Sequence, residues 1–398
     1  MQLFYPYTYG GGEWLFFLIA RELAKRGHNV YVISQRLEGT DAFEKYEGIK
    51  IYRVGRPVLS TGLPPEITYH LKYIISASRK GREIIKKIRK DGQNIDIIHS
   101  NVYVPAVSAY LCSRLYHLPH LVTFHVVYQA QKKDFWKIWT TKLDKKTPFY
   151  AGSLAKFIEK TITKMNLSGF HAVTEITKQD LITIGVPKEK IHVIPNGIDL
   201  AQYGEDIGQN DITVEPNAVF VGRLQAYKNI GTVIRAFRKV IEIIPEARLI
   251  IVGDGPDKDT LLSEAKLISK HIMFTGRLSQ EQKVKVIKKS AFMVLPSIIE
   301  GFPMTIIESF ACAKPIIVSA VRPLSDIVKD GYTGLLVPPP FEEDKWAQKI
   351  IELFNNKQKQ DEMGKNASNE FLLNYKIDKV VSLMENLYKG IAKGISTG

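Results

Sequence analysis

The stretch Phe292-Met293-Val294-Leu295-Pro296-Ser297-Ile298-Ile299-Glu300-Gly301-Phe302-Pro303-Met304-Thr305-Ile306-Ile307-Glu308 decides what kind of fold this chain adopts. Its first four residues form a short, continuous apolar run of the sort that a strand buried on both faces requires. Pro296, Gly301 and Pro303 break that run, and an apolar-periodic helix begins close to Met304. A strand feeding a helix through a tight loop is half of a parallel βαβ unit. The helix start offers the free backbone N–H groups of Met304, Thr305 and Ile306, a ready site for a diphosphate. Glu300 then lies on the loop and Glu308 about one turn into the helix, so the two carboxylates can address different parts of one elongated ligand.

Outward from this stretch the same rhythm repeats. In the second half strands are expected near Ala218–Val221, Arg248–Val252, Ile272–Thr275, Phe292–Leu295, Pro315–Ser319 and Gly334–Val337. In the first half they are expected near Leu3–Tyr5, Val30–Ser34, Ile49–Val54, Ile95–His99, Leu121–Phe124, Ala172–Thr174 and His192–Pro195, with a helix over Glu13–Arg26 closed by Gly27. The first of these is short and begins almost at the initiator. Two α/β domains follow, each a doubly wound parallel sheet, and 398 residues suit two cores better than one. The junction is expected at Pro195-Asn196-Gly197-Ile198-Asp199, before a polar stretch at 204–216. That gives domains of 1–197 and 198–377, followed by a final helical tract at 378–398 that can cross back to the first domain.

Two further stretches bear chemistry. Gly222-Arg223-Leu224-Gln225-Ala226-Tyr227-Lys228-Asn229 leaves an expected strand with two cations at its carboxyl end, where open α/β sheets bind their ligands. Arg223 supplies a planar fork and Lys228 a compact charge, a pairing suited to a departing diphosphate. Tyr9-Gly10-Gly11-Gly12-Glu13 allows close backbone approach before a helix that presents its positive end. Gly253-Asp254-Gly255-Pro256 lacks the third glycine of a dinucleotide fingerprint and reads as a strand-to-helix turn. Asp257-Lys258-Asp259 has a metal-binding pattern, but it sits where a helix begins, so helix-end charge complementation explains it and no essential metal or other cofactor is expected.

Taken together, these places resemble the family 4 retaining glycosyltransferases of GT-B architecture, in which two Rossmann-like domains face each other across a cleft. Glu300 to Glu308 is similar to that family's E-x7-E motif with its Gly-Phe-Pro core. Gly222-Arg223-Leu224 with Lys228 is similar to its GRL…K motif, Gly11-Gly12-Glu13 to its Gly-Gly-x-Glu, and Asn196-Gly197-Ile198-Asp199 to its interdomain signature. The resemblance spans almost the whole chain. It implies a nucleoside-diphosphate sugar donor, with Glu300 at the sugar hydroxyls, Glu308 at the ribose, and Arg223 with Lys228 at the diphosphate. It also implies that backbone groups of Gly301, Phe302 and Pro303 hold the sugar, that Gly11 and Gly12 face the phosphate, and that His125 sits near the reacting sugar. Arg277, in Gly276-Arg277-Leu278, would lie at the base.

Charge adds a partner. Lys and Arg outnumber Asp and Glu by 29 to 17 in residues 1–200 but only by 26 to 24 in 201–398, so nearly all of the +14 net charge belongs to the first half. Residues 72–90 carry eight Lys or Arg and one Glu, and 130–165 carry nine against three acids, with Phe135, Trp136, Ile138 and Trp139 among them. Basic residues beside aromatics suit an anionic membrane surface. Similar segments occur in family members that glycosylate membrane lipids, so the expected acceptor is a glycan or a lipid- or polyprenyl-linked hydroxyl. The two cysteines, Cys112 and Cys312, lie in different halves and form no metal-like spacing. A cytoplasmic protein, peripheral at the inner membrane face, is the expectation. The rival readings are a nucleic-acid or anionic-surface binding protein without transferase activity and an NAD-dependent sugar-modifying enzyme. The first lacks a recognisable nucleic-acid module, so no nucleic-acid partner is expected, and the second lacks the Gly-rich spacing.

Overall fold

A computed structural model describes residues 2–6, 11–58, 67–130, 151–204, 216–338 and 342–394. Tyr9, Gly10, the apolar residues Phe135, Trp136, Ile138 and Trp139, and most of the 204–216 stretch lie outside the described residues. The described residues form two compact units, one made of 2–130, 151–196 and 377–394 and the other of 197–376.

The first unit opens with α1 (Gly11–Lys25), two residues earlier than the expected start at Glu13, so Gly11 and Gly12 belong to the helix's first turn. Gly27, at φ +88°, closes it, with the Gly27 N–H on the Ala24 carbonyl and the His28 N–H on that of Leu23. β1 (Tyr31–Leu37), β2 (Phe43–Tyr46) and β3 (Ile49–Val58) make a three-stranded sheet in the order β1-β3-β2, with β1 and β3 parallel. After α2 (Ile67–Lys90) come β4 (Ile98–Asn101), α3 (Val104–Tyr116), β5 (His120–Phe124), α4 (Ala151–Thr163), β6 (Gly169–Ala172), α5 (Glu175–Thr183) and β7 (Ile191–Val193). β4 to β7 form a second, parallel sheet in sequence order.

Two expectations are corrected here. Thr174 is no strand residue: its hydroxyl caps α5 by accepting the Thr177 N–H, so β6 ends at Ala172. Leu3–Tyr5 forms no strand. The sheet-like bond beside it is made by Gln2, whose carbonyl accepts the Gln35 N–H at 2.9 Å. Phe4 is buried in the core, Tyr5 stacks between Phe17 and Tyr46, and Pro6 has no N–H to give a ladder.

The second unit is a single six-stranded parallel sheet. Its elements are β8 (Asn217–Val221), α6 (Ile230–Ile243), β9 (Arg248–Val252), α7 (Lys258–Ala265), β10 (Ile272–Gly276), α8 (Gln280–Lys289), β11 (Phe292–Leu295), α9 (Met304–Ala311), β12 (Ile316–Ser319), α10 (Leu324–Ile327), β13 (Gly334–Val337), α11 (Glu343–Phe354) and α12 (Lys357–Asn374). The strand order β10-β9-β8-β11-β12-β13 reverses direction between β8 and β11. The strands are apolar and mostly buried, as helix-covered parallel strands must be, apart from the edge strand β10, where Ile272 is buried and Met273 is exposed. The Ile198 N–H donates to the Tyr375 carbonyl at 3.0 Å, so the chain enters and leaves this unit side by side.

The chain ends in α13 (Ile377–Ala392), which packs on α1 in the first unit through Ile377, Val380, Val381 and Met384. Arg26 reinforces this, reaching Ser382 and Glu385 at 3.1 Å and the Asp378 carbonyl at 2.7 Å.

Candidate active site

In the second unit the strand order changes direction between β8 and β11, leaving the crevice that doubly wound sheets use for ligands. The loops leaving these strands carry Arg223, Lys228 and Glu300, and hydrogen bonds hold them together. The Ile298 N–H donates to the Tyr227 carbonyl at 2.8 Å, and the Thr305 hydroxyl, at the start of α9, donates to the Val221 carbonyl at 3.3 Å. A third loop closes behind them. A Cβ on Gly253 would lie 1.9 Å from the Gly222 carbonyl oxygen, and one on Gly255 would lie 2.3 Å from that of Leu224. The Gly253-Asp254-Gly255 run therefore serves backbone contact, with the Leu224 N–H on the Asp254 carbonyl at 3.0 Å.

Lys228 Nζ lies 2.5 Å from Glu300 Oε1, and both side chains are nearly out of solvent. Burial alone would push the Lys228 ammonium down; the Glu300 carboxylate more than offsets this and holds it above its usual value. Arg223 is exposed and makes no ion pair or hydrogen bond through its side chain among the described residues. One cation is thus already neutralised inside the loop, and the other is ready for an anion. Pro303 precedes α9, whose Ile306 N–H is spent on the Pro303 carbonyl at 3.0 Å, so it is not the free donor expected from the sequence. The Phe302 ring packs on the core and edge-on to Tyr375, which leaves the backbone of Gly301 and Pro303 as the polar part of that turn.

Glu308, one turn further on, is held by Lys283 Nζ at 2.7 Å and the Tyr203 hydroxyl at 3.2 Å. Neither partner belongs to a recognisable motif, and both reach Glu308 from elements far away in sequence. Burial pushes the Tyr203 hydroxyl well above its usual range, so it stays protonated and donates. Arg277 follows the end of β10 and is exposed. Asp257 and Asp259 sit at the start of α7. Among the described residues no three His, Cys, Asp or Glu side chains cluster to hold a metal ion.

In the first unit Gly12 meets His125. A Cβ on Gly12 would come within 2.9 Å of His125 Nε2, a buried atom with no hydrogen-bond partner among the described residues. Burial first, and then His171, lower the His125 imidazole to about 4, so it is neutral at pH 7. Behind it runs a chain of polar side chains whose direction can be derived. His171 Nε2 faces the Ile194 carbonyl at 2.8 Å and must carry the proton there. Its Nδ1 therefore accepts from the Thr123 hydroxyl (2.9 Å), whose oxygen accepts from His99 Nε2 (2.6 Å), whose Nδ1 accepts from the Tyr388 hydroxyl (2.6 Å). These bonds join β4, β5 and β6 to α13.

A family model described as Glycosyltransferase Family 4 matches residues 9–202, and one described as Glycosyl transferases group 1 matches residues 205–370. The chain is a family 4 glycosyltransferase of GT-B architecture. It is similar to an uncharacterised glycosyltransferase of Methanocaldococcus jannaschii, 28% identical over 331 residues that cover 81% of this chain and 82% of the relative. Among solved structures it resembles the sucrose-phosphate synthase of Thermosynechococcus elongatus, with a TM-score of 0.76 and 21% identity over 96% of this chain and 94% of the other. It also resembles HepE of Anabaena, solved in complex with UDP and glucose, with a TM-score of 0.70 and 17% identity over 98% of each chain.

Within the second unit of this glycosyltransferase, Arg223, Lys228, Glu300 and the start of α9 come together as the sequence predicts. His125 and Gly12 come together within the first. Sequence reading missed Lys283 and Tyr203 at Glu308, and Thr123, His171 and Tyr388 behind His99. For Thr123 and His171 the only available signal was position near a strand end, which such residues also occupy for structural reasons; Lys283, Tyr203 and Tyr388 lie on helical elements and carried none.

Proposed function

We propose that the protein is a retaining glycosyltransferase that moves a hexose-type sugar from a nucleoside-diphosphate donor to a hydroxyl acceptor. The observation that carries this is the buried Lys228–Glu300 pair beside the exposed Arg223, at the point where strand order reverses. A diphosphate arriving there takes the fork of Arg223 and draws Lys228 from Glu300, whose carboxylate is then free for sugar hydroxyls. Glu308, steadied by Lys283 and Tyr203, offers its other oxygen to the ribose diol. Arg277 lies toward the base, and the backbone of Gly301 to Pro303 holds the sugar. Gly11, Gly12 and the neutral imidazole of His125 serve the reacting sugar from the first unit. In the transfer step the bond from the anomeric carbon to the diphosphate oxygen breaks as the acceptor oxygen bonds the same face, and the acceptor proton passes to the leaving diphosphate. Cations and helix amides stabilise the charge that develops there. The scheme needs no covalent nucleophile, and Glu300 acts by position and charge.

Thermal-shift measurements with UDP-, GDP- and ADP-sugars, followed by transfer assays, test this reading. Glu308→Ala is expected to weaken nucleotide binding about tenfold to a hundredfold, as loss of a charged hydrogen bond does. Glu300→Ala is expected to lower kcat with little change in nucleotide affinity. The reverse pattern would overturn the roles given to the two carboxylates.

The acceptor is proposed to be lipid- or polyprenyl-linked and met at an anionic membrane. Along α2, Ile67, Leu71 and Ile75 stand 46%, 52% and 52% exposed on one stripe, which continues into the exposed Arg79, Arg82 and Lys86. An apolar half-face running into a cationic one is what an interfacial helix needs. No described helix is long and apolar enough to cross a membrane. Sedimentation with anionic liposomes at low salt should fall when Leu71 and Ile75 are both changed to Ser; no sedimentation of the parent protein would remove the membrane from the proposal.

A further inference from the structure

Glu159 is wholly buried, yet it carries a carboxylate. It lies on α4 between Ile158 and Ile162, whose side chains pack in the core with Val122, Phe124 and Phe170, so the same helix face turns it inward. Its oxygens accept three hydrogen bonds: Oε1 takes the Tyr103 hydroxyl and the Tyr128 N–H, and Oε2 takes the Gln129 N–H, each at 2.9 Å. All three partners donate, which suits an ionised carboxylate that only accepts. Burial pushes the Glu159 carboxyl up, and these same donors pull it back down. A buried charge is costly, and packing alone would be served better by an apolar side chain of the same volume.

The three donors belong to two loops. Tyr103 joins β4 to α3, and Tyr128 and Gln129 open the short turn Tyr128–Ala130 that follows β5 and His125. Both loops leave the carboxyl ends of neighbouring parallel strands, where open α/β sheets hold their ligands. Tyr103 sits at φ +72° and ψ −130°, a strained backbone for any residue but glycine, and such strain persists only where the surroundings impose it. Here the bond from its hydroxyl to Glu159 and the stacking of its ring on Tyr128, at 5.7 Å and 26°, impose it. Burial pushes the Tyr103 hydroxyl well above its usual range, so it stays protonated and donates. Both rings are half-buried, with part of each open at the strand ends. We propose that Glu159 is a positioning residue for the transfer step: by clamping the Tyr103 and Tyr128–Gln129 turns together it sets the acceptor hydroxyl against the sugar beside His125. This rests on the transferase reading above and adds to it the group that fixes the acceptor side.

The test compares transfer with hydrolysis in one tube, using whichever of UDP-, GDP- and ADP-glucose the thermal-shift panel selects and octyl glucoside as the acceptor that competes with water. Glu159→Gln keeps the volume but replaces one accepting oxygen with an NH2 that faces a donor. It is expected to lower the ratio of transfer to hydrolysis about tenfold to a hundredfold, and to leave nucleoside-diphosphate affinity unchanged, because Arg223, Glu300 and Glu308 lie in the second unit. Tyr103→Phe removes a hydroxyl and no packing; it should lower the ratio in the same direction, and it carries the test should Glu159→Gln fail to fold. The double variant should do no worse than Glu159→Gln alone, as members of one network do. A Glu159 that only supports the fold would, when changed, reduce the active fraction, which lowers both products together and leaves their ratio where it was. An unchanged ratio in Tyr103→Phe, and in Glu159→Gln where it folds, would therefore overturn the role of Glu159, however far Tm falls. A parent protein that forms neither product from any of the three donors would overturn the transferase reading itself, and this inference with it.

Discussion

Lys228→Met is expected to abolish measurable transfer and to destabilise the second unit by about 3–5 kcal/mol, because removing one partner of a buried pair leaves the other charge uncompensated. Glu300 then faces Tyr227 and the loop backbone with nothing to neutralise it, and the loops leaving β8 and β11 lose the contact that fixes their spacing. The double variant Lys228→Met/Glu300→Gln separates the two losses. It removes both charges and keeps both shapes, so most of the stability should return while transfer does not, since diphosphate stabilisation of this kind contributes about 10²–10³ to the rate. Urea unfolding and kcat/KM on the three proteins give the answer. If the single variant is as stable as the parent, the pair is not buried as described. If it still transfers sugar at the parent rate, Lys228 is not at the leaving group.

Acidification should weaken the first unit well before the second. Burial lowers the imidazoles of His125 and His171 to about 4 and that of His120 to about 3, and it puts His99 well below the usual value. In the unfolded chain each takes up a proton near pH 6.5, whereas in the folded chain each resists until about 4 or below. The stability these groups leave intact is therefore complete above pH 6.5 and is lost as pH falls from 6.5 toward 4. At about 1.4 kcal/mol per pH unit for each group, His171 alone accounts for roughly 3 kcal/mol. The histidine chain sharpens the effect. A second proton on His171 or His99 leaves Thr123 or Tyr388 facing a donor where it had an acceptor, and the links from β4, β5 and β6 to α13 break. The second unit has a single histidine, His271. Calorimetry between pH 7 and about 4.5 should show one transition sliding down with pH and another nearly still. Two transitions moving together would show that buried imidazoles do not set acid sensitivity here.

The second unit was readable because its strands are continuous apolar runs and each ends in a loop with glycine, proline or charge. All six lie within a few residues of where periodicity puts them. The first unit was less so, for local reasons. Thr174 has the β-branched shape of a strand residue, yet its hydroxyl is worth more as a cap. Ile95 and Ile97 look like strand residues, but they lie before β4 and Ile97 is spent on the core around α1. Leu3–Tyr5 has strand composition, but the sheet bond there is made by Gln2, just before it. In the site, residues carried by short motifs were legible: Arg223, Lys228, Glu300 and Glu308. Their supports were not, because Lys283 and Tyr203 reach Glu308 only through the tertiary fold, and a single sequence has no spacing that records this. The pairing of Lys228 with Glu300 was likewise hidden, since each alone reads as a ligand contact.

The last helix has a consequence for how the molecule is made. α13 supplies a wall of the first unit's core and the Tyr388 hydroxyl that begins its polar chain, yet it is translated only after all of the second unit. Among the described residues the second unit draws on the single span 197–376, which can close while still tethered to the ribosome. The first emerges earlier but must wait, with the apolar side of α1 uncovered, until the ribosome has finished 377–392. This reverses the usual N-to-C order of domain maturation and makes the nascent first half the part most in need of a chaperone.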